Sequence, residues 1–452
     1  MWVQRGKSKI RLERFVHHGI YMSDYKRENK MSQSKKEPVF CGPIIAYNQQ
    51  GYTTPVFFDP HTAINAAGDK GSATNGTLIT GAPGSGKSFL GMTLAMISAV
   101  CGKKTIFLDP KNDSLGMLNL KEWVNGKITQ MDINDKELAG AMDPFIAQPT
   151  QNAKVSKAYS LLSILLGPFT EAQESILYPI VQDVAADSRA SMTLLGTKLS
   201  RHANQSLNAL GTRLAAIQGS SESSTLIFGK VGDGIPEIKP IQLNDGMTII
   251  SMLGLSLPDP NSDAEHQEPR EKLGLGILYL ITDYIMETMK NPDEKDVPKT
   301  IFIDEAWAIA ATKMGYETMS SLLRLGRAFN TAVILMTQNV SDLESDTGEN
   351  RLLNSVNTKF AFRCNDAEEA HHLCAALGIS DGFADSFLNL SRGQCIMRDY
   401  KSRTATIKII AQCDPIWPQA FETNPMKRAK NKAEAQKIMT DDGLGVFDNE
   451  DQ

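Results

Sequence analysis

Short apolar runs, each bounded by glycine, proline or acidic residues, recur along the chain and predict β-strands. Runs of four to eight such residues are typical of strands buried on both faces, as in the parallel sheets of α/β proteins. The chain therefore predicts an α/β fold with a mainly parallel sheet. The predicted strands cover residues 55–60, 77–80, 105–108, 241–243, 248–253, 300–303, 332–336, 354–363 and 395–398.

Apolar residues at helical spacing separate these strands and predict flanking helices. The helix after Ser88 is apolar on most positions and ends at Cys101-Gly102. Few strand patterns occur between 145 and about 219, so an all-helical subdomain is predicted to be inserted there. Helical spacing covers residues 159–166, 171–187, 194–218, 271–289 and 306 to about 329.

Changes in composition divide the chain into five predicted parts. Residues 1–37 carry ten lysines or arginines in the first 36 positions, against three acidic residues, and predict a basic, flexible arm. Residues 38–144 form the first part of the core, 145–235 the helical insertion and 236–422 the second part of the core. Residues 423–452 form a charged tail, basic over 427–437 and acidic over 441–451.

The composition indicates an ordinary globular protein and does not indicate what the protein binds. The 452 residues are 41% hydrophobic and 22% charged with a net charge of −5, which is ordinary for a globular protein. No apolar run reaches the ~18 residues of a membrane span, so any membrane association is expected to be peripheral. The six cysteines are scattered and no secretory pattern precedes them, which favours the reducing cytosol. The spacing of Cys364, Cys374 and the adjacent His371 and His372 fits no tetrahedral zinc site.

The strongest chemical motif is a glycine-rich loop between a predicted strand and a predicted helix. Gly81-x4-Gly86-Lys87-Ser88 has the spacing of a P-loop, in which backbone N–H groups face the phosphates of a nucleotide. Lys87 would neutralise the β- and γ-phosphates, and Ser88 would bind Mg²⁺. The alternative is a glycine-rich turn with a surface lysine, but that leaves the strand and helix context unexplained. The predicted nucleotide-binding residues are Gly81, Ala82, Pro83, Gly84, Ser85, Gly86, Lys87, Ser88 and Phe89.

A second motif delivers two carboxylates at the end of the apolar strand 300–303. Asp304 is predicted to hold the Mg²⁺ ion and Glu305 to polarise the attacking water. Asp-Glu after a strand also occurs as a simple helix cap. Because open α/β sheets bind ligands at the carboxyl ends of their strands, the P-loop on the same sheet favours the catalytic role.

Other polar residues are weaker candidates. Thr337-Gln338 follows the strand 332–336, which places Gln338 where it could sense the γ-phosphate, although a solvated loop glutamine has the same pattern. Arg324, Arg327 and Arg392 are candidates for an arginine that stabilises the transition state across a subunit boundary. Surface arginines are equally compatible with the sequence. Asp109-Pro110-Lys111 is interpreted mainly as a turn.

Lys87 and Asp304 lie 217 residues apart, far more than one or two βα units require, so the helical insertion must be substantial. With this spacing, the ordered motifs resemble the large VirB-class/TraC-type ATPase of conjugative type IV secretion systems. The resemblance extends from about residue 39 to about residue 416. It is carried by PVFFDP at 55–60, TGAPGSGKSF at 80–89, DPK at 109–111, DPF at 143–145, DEAW at 304–307 and MTQN at 336–339.

The resemblance implies a RecA-like motor domain of the FtsK/HerA group, hydrolysing ATP with Mg²⁺. It further implies a hexamer or dimer at the cytoplasmic face of the membrane, with channel and coupling proteins as partners. Under it, Gln338 is a sensor and Arg392 or Arg327 the finger acting in a neighbouring subunit. Members of this family carry a large docking domain before the motor. The basic arm at that position implies a separately encoded domain or a truncated product.

Three other functions are compatible with parts of this pattern. A coupling protein of the same systems would normally show N-terminal membrane helices. A free DNA translocase of the FtsK/HerA type would need DNA contacts, for which the basic ends and the helical insertion are candidates. A non-enzymatic scaffold would not need Lys87 and Glu305.

The basic ends predict salt-sensitive DNA binding through residues 1–36 or 427–437. Removing both segments should weaken DNA affinity and flatten its dependence on salt, because fewer phosphate counterions are released on binding. Fluorescence anisotropy with duplex DNA over a salt series measures both quantities. An unchanged affinity and salt slope would refute this prediction.

Overall fold

The computed structural model describes residues 44–48, 54–61, 75–229, 243, 245–258, 266–311, 313–344, 351–410 and 416–423. Among these residues, eleven strands form one sheet in the order β2-β1-β11-β10-β9-β3-β8-β7-β4-β6-β5. The strands are β1 (Ile44–Asn48), β2 (Thr54–Phe57), β3 (Gly76–Thr80), β4 (Lys104–Asp109), β5 (Ile128–Asp132), β6 (Met247–Ser251), β7 (Lys299–Ile303), β8 (Thr331–Thr337), β9 (Val356–Phe362), β10 (Gln394–Arg398) and β11 (Thr404–Ile409).

Seven neighbouring strands, from β5 across to β9, run parallel and confirm the predicted mainly parallel sheet. The remaining four strands, β10, β11, β1 and β2, extend the sheet antiparallel beyond β9. The predictions omitted β1, β5 and β11. In β11 only Ile407 and Ile409 are buried, separated by the partly exposed Lys408, so the strand lacks the continuous apolar run by which the predicted strands were identified.

Fourteen helices of four or more residues cover or extend from this sheet in the described part of the chain. They are α1 (Lys87–Val100), α2 (Pro144–Ala147), α3 (Gln151–Leu166), α4 (Glu171–Ala186), α5 (Met192–Ser200), α6 (Gln205–Gln218), α7 (Thr225–Phe228), α8 (Pro269–Met289), α9 (Ala306–Ala310), α10 (Lys313–Gly326), α11 (Arg351–Asn354), α12 (Ala367–Leu377), α13 (Ala384–Leu388) and α14 (Ile416–Ala420), apart from short 3-10 turns and the 3-10 helix Leu115–Val124.

The two faces of the sheet bury separate hydrophobic cores, because successive side chains of a strand point to opposite sides. Leu78 of β3 and Ile301 of β7 belong to the core shared with α8, α10 and the helical insertion. Ile79 and Phe302, one residue further along, belong to the core shared with α1. Helices on both faces explain why the central strands are apolar throughout.

The helical insertion is built from α2 to α7, between 144 and 228. Its entry is fixed by the buried Asp143, whose carboxylate accepts the N–H groups of Phe145 at 2.9 Å and Met192 at 2.8 Å. Burial raises the pKa of Asp143 to about 7, against the effect of these two donors. Both flanking parts of the chain, 38–144 and 236–422, supply strands to the one sheet, while the domain boundaries themselves remain predictions.

Two predicted helices were too long. The helix predicted over 194–218 is divided into α5 and α6, because the Asn204 side chain accepts the N–H groups of Ser206 at 2.9 Å and Leu207 at 3.3 Å and starts a new helix. The helix predicted from Ala306 to about Phe329 is divided into α9, α10 and the 3-10 turn Arg327–Phe329. The strand predicted at 241–243 lies mostly outside the described residues, and Leu243 itself is not in a strand.

The segment after β2 is attached to the core by buried charges. Asp59 forms an ion pair with Lys103, the residue before β4, and Lys103 also lies 3.1 Å from Nδ1 of His61. Although burial raises the pKa of Asp59, hydrogen bonding from His61 and the Lys103 charge outweigh it and leave that pKa lowered. The PVFFDP segment therefore ends in a structural anchor.

Of the described helices, none has the length and apolar composition to cross a membrane. The basic arm 1–37 and the basic run 427–437 lie outside the described residues.

Helices α5 and α6 pack with a close backbone approach at Gly211. A Cβ there would lie 2.2 Å from the backbone nitrogen of Ser200, so we expect Gly211→Ala to destabilise the fold by about 1–3 kcal/mol through overpacking. Urea denaturation measures this change.

Gly196→Ala on α5 is the matched control, because its Cβ would meet only the Leu214 side chain, with Cδ2 at an ordinary 3.5 Å. This variant should be neutral or stabilised by up to ~1 kcal/mol through helix propensity. Equal effects of the two substitutions would contradict the described packing of α5 on α6.

Candidate nucleotide site

The glycine-rich loop lies at the carboxyl end of β3, between that strand and α1, as the sequence predicted. Gly84 and Gly86 have φ angles of +74° and +119°, values that side-chain-bearing residues rarely adopt. A Cβ on Gly86 would lie 3.2 Å from Cα of Gly393, the residue immediately before β10. The loop is therefore shaped for backbone contacts that only glycine permits.

Neighbouring segments of the same chain hold the loop in place. The N–H of Ala82 donates to the carbonyl of Arg363 at 2.8 Å, and the N–H of Gly393 donates to the carbonyl of Ser85 at 2.7 Å. The hydroxyl of Ser85 is buried and has no hydrogen-bond partner among the described residues. The first N–H groups of α1, from Lys87 onward, have no acceptor within the helix. Free donors thus converge where a phosphate group would sit.

The side chain of Lys87 reaches the end of β7. Its Nζ donates to Oδ1 of Asp304 at 3.3 Å, and the two side chains are only 7% and 5% exposed. Ser88, on the first turn of α1, is half-buried. The contact brings together the first and second motifs, which lie 217 positions apart in the sequence.

Glu305 is buried and adopts a left-handed backbone conformation, with φ 49° and ψ 47°. Its Oε1 accepts a hydrogen bond from Lys111 Nζ at 2.5 Å, and its Oε2 accepts one from Trp307 Nε1 at 2.6 Å. The amide of Gln338 lies 3.4 Å from Oε1. A strained residue held by three neighbours is typical of a functional position.

The carboxyl group of Glu305 is electrostatically poised to remain ionised. Burial by itself raises its pKa, but the Lys87 charge, the Lys111 hydrogen bond and charge, and the Trp307 N–H together outweigh burial and leave the pKa below its usual value. Glu305 is therefore a carboxylate at neutral pH despite its burial.

Gln338 begins the loop after β8. Besides its contact with Glu305, its carbonyl accepts a hydrogen bond from Thr80 Oγ1 at 3.3 Å. Thr80 is the last residue of β3, paired with Thr337 of β8. The candidate sensor thus contacts both the P-loop strand and the candidate base.

The predicted arginines lie at opposite ends of the sheet. Arg392 is exposed and precedes Gly393, so it borders the P-loop of its own chain. Arg327 and Arg324 precede β8, whose seven residues separate them from the P-loop end of the sheet by about 20 Å. Their assignment as fingers for a neighbouring subunit stays a prediction, and Arg327 and Arg324 are too distant to serve their own P-loop.

Several contributors to this site were missed from the sequence. Lys111 was interpreted as part of a turn. It lies near Glu305 because it stands just beyond β4, the strand beside β7, and no local sequence pattern reports that strand order. Arg363 follows β9, beside β3, and is exposed next to the loop. Asp109 does organise the turn, since its carboxylate accepts N–H groups from Asp113 at 3.1 Å and Ser114 at 2.7 Å.

The residues fit a nucleotide with a divalent cation. The unpaired Ser85 hydroxyl, the glycine cradle and Lys87 suit phosphate oxygens, while Ser88 and Asp304 are oxygen donors of the kind that Mg²⁺ prefers. Within the described residues, no group of three or more His, Cys, Asp or Glu side chains is arranged to hold a metal by itself. The remaining ligands of an Mg²⁺ ion would be phosphate oxygens and water.

The family model for the AAA-like domain matches residues 54–421. The chain is also 24% identical over 385 residues to the uncharacterized protein YddE of Bacillus subtilis, a match covering 78% of this chain and 43% of YddE. An uncharacterized protein of Mycoplasma pneumoniae is 27% identical over 133 residues, which cover 28% of this chain and 86% of that protein. The chain thus spans less than half the length of YddE.

Solved structures share the fold at low sequence identity. VirB4 of Thermoanaerobacter pseudethanolicus superposes with a TM-score of 0.65 at 14% identity, covering 83% of this chain and 98% of that chain. The plasmid coupling protein TrwB, in complex with ADP and Mg²⁺, superposes with a TM-score of 0.52 at 15% identity, covering 75% of this chain and 87% of that chain. The family match over most of the chain and the shared architecture lead to one conclusion: the chain belongs to the AAA-like domain family and has the RecA-like P-loop fold of VirB4 and TrwB.

Proposed function

We propose that the protein is an ATPase that energises a conjugative type IV secretion system, supplying work for DNA or protein transfer or for assembly of the channel or pilus. The observation that carries the proposal is the meeting of Lys87, Asp304, Glu305 and Gln338 at one edge of the sheet. These four residues supply a phosphate-binding cation, a metal-binding carboxylate, an ionised base and a sensor. A purely structural P-loop fold has no need of this set.

In the proposed reaction, the loop 81–88 and the first turn of α1 bind the phosphates of ATP, and Lys87 neutralises the β- and γ-phosphates. A bound Mg²⁺, held by Ser88 and Asp304, would neutralise charge developing on the phosphate oxygens. Glu305 accepts a proton from the attacking water, and Lys111 and Trp307 hold its carboxylate in place. Gln338 contacts Glu305 and is placed to respond when the γ-phosphate leaves.

The proposed setting is a ring oligomer, a hexamer or a dimer, at the cytoplasmic face of the membrane, with channel and coupling proteins as partners. The fold shared with VirB4 supports this setting. The exposed Arg392 beside the P-loop, and Arg327 at the far end of the sheet, are the candidates for the contribution of one subunit to the site of another.

A coupling protein or DNA translocase is the second candidate. The fold shared with the plasmid coupling protein TrwB, whose structures include ADP with Mg²⁺ and a GTP analogue, favours it. DNA-stimulated ATP hydrolysis by the purified protein would support the second candidate. Hydrolysis that DNA leaves unchanged would support the secretion ATPase.

Lys87→Ala and Glu305→Gln should each abolish ATP turnover, for different reasons. Lys87→Ala removes the phosphate-binding cation and should also weaken nucleotide binding. Glu305→Gln removes the base and should lower kcat by ~10²–10⁴-fold while nucleotide still binds. Phosphate release and calorimetric titration with ATP measure the two effects. Glu317→Gln, an exposed glutamate on α10, is the control, and normal turnover in Glu305→Gln would exclude Glu305 as the base.

Lys111→Met should raise the pKa of Glu305, because the substitution removes both a hydrogen bond and a positive charge from its carboxylate. Since the carboxylate is the reactive form, the acidic limb of the kcat profile should move to higher pH. Steady-state ATPase rates from about pH 3.5 to 7, a range that extends below the ordinary pKa of glutamate, measure this shift. Lys121→Met replaces an exposed lysine and should leave the limb in place. An unmoved limb in Lys111→Met would show that the pair does not control the base.

A further inference from the structure

The loop that carries Gln338 is attached to a buried carboxylate outside the catalytic motifs. Glu369, on the first turn of α12, is 4% exposed. One of its carboxylate oxygens accepts the N–H of Val340, and the other accepts the Ser341 hydroxyl at 2.8 Å and the Ser341 N–H at 3.4 Å. All three donors belong to the two residues that follow Gln338 and Asn339.

None of the sequence motifs calls for an acidic residue at this position, and burying a carboxylate is unfavourable unless hydrogen bonds compensate. The three donors and the favourable end of the helix dipole at the start of α12 offset part of this cost, although burial still leaves the pKa of Glu369 above its usual value. The N-cap residue Asp366 fixes the turn by accepting the N–H of Glu369 at 2.8 Å. The Glu369 carboxylate can therefore accept these hydrogen bonds only while the loop after β8 keeps the position in which Gln338 contacts Glu305.

The same segment is also attached to the P-loop. Arg363, six residues before Glu369, accepts the N–H of Ala82 through its carbonyl at 2.8 Å. Further along α12, His372 Nδ1 lies 3.2 Å from Glu344, at the far end of the loop. The segment 363–372 thus contacts the phosphate-binding loop at one end and the sensor loop at the other.

We propose that Glu369 is a positioning residue for Gln338, holding the 338–344 loop so that the Gln338 amide stays within reach of Glu305. Apart from the Glu369 hydrogen bonds, the Gln338 carbonyl accepts a hydrogen bond from Thr80 Oγ1, and His372 contacts Glu344 at the far end of the loop. Glu369 is the hydrogen-bond acceptor for the two residues that follow Asn339. The inference rests on the proposed ATPase function, because the position of the Gln338 amide beside Glu305 matters only if Gln338 takes part in ATP hydrolysis.

Glu369→Gln is the direct test, since the amide keeps the volume but turns one acceptor into a donor facing N–H groups. We expect kcat to fall on the order of ten- to a hundredfold, as for misplaced catalytic groups, while KM for ATP stays within about twofold because the P-loop is intact. Glu368→Gln, one residue earlier on the exposed side of α12, is the matched control and should behave as wild type.

Combination with Gln338→Ala separates positioning from general damage. If Glu369 acts through Gln338, the double variant should be no slower than Gln338→Ala alone. The proposal would be overturned if the effects of Glu369→Gln and Gln338→Ala on kcat multiply in the double variant. It would also be overturned if a folded Glu369→Gln protein has a kcat within about twofold of wild type. Should Glu369→Gln fail to fold, Ser341→Ala is the alternative, since it removes the hydroxyl donor to Glu369. It should lower kcat, and adding Gln338→Ala should lower kcat no further than Gln338→Ala does alone. Independent effects of Ser341→Ala and Gln338→Ala would also overturn the proposal.

Hydrogen exchange of the Val340 and Ser341 amides gives a readout that needs no ATP. These amides should exchange faster in Glu369→Gln than in wild type, and unchanged exchange would overturn the proposal. A wild-type protein that does not hydrolyse ATP would instead refute the proposed function, while the exchange measurement would still report on the loop.

Discussion

The parallel hydrogen bonding of β3 to β8, and of β8 to β7, is the constraint on which the site depends. Its register sets Thr80 beside Thr337 and Ile303 beside Leu335. The residues just beyond these strands therefore emerge at one edge, although they come from three distant parts of the chain. The buried contact between Lys87 and Asp304 follows from this register. A shift of β7 by one residue would send Asp304 to the other face of the sheet.

The local chemistry of the site could be predicted from the sequence because each motif is contained in a few residues. The glycines at 81, 84 and 86 predict the phosphate-binding loop. Asp304-Glu305 and Gln338 each follow an apolar strand, which predicts their place at the edge of the sheet. What could not be predicted are the partners of these residues. The ion pair of Lys111 with Glu305 depends on β4 lying beside β7, and Glu369 reaches Val340 only because α12 packs beside the end of β8.

The fold shows the same division between local and long-range information. Fully buried parallel strands were found because their pattern is continuous, whereas β11 on the antiparallel side lacks a continuous apolar run and was missed. The break between α5 and α6 depends on a single asparagine cap, whose effect is easily outweighed in a helical pattern of apolar residues. Strand order across the sheet is set by contacts between residues far apart in sequence, and no local pattern reports it.

The hydrogen bond from Trp307 to Glu305 has a practical consequence. The indole is half-buried and its N–H points to one oxygen of the candidate base, so its emission spectrum depends on where that carboxylate is. The other two tryptophans in the described residues, Trp123 and Trp417, pack against each other with ring centroids 5.5 Å apart and belong to the hydrophobic core shared with α1, whereas Trp307 packs against the other core. The protein therefore contains an intrinsic optical reporter, two residues from the group that would activate water.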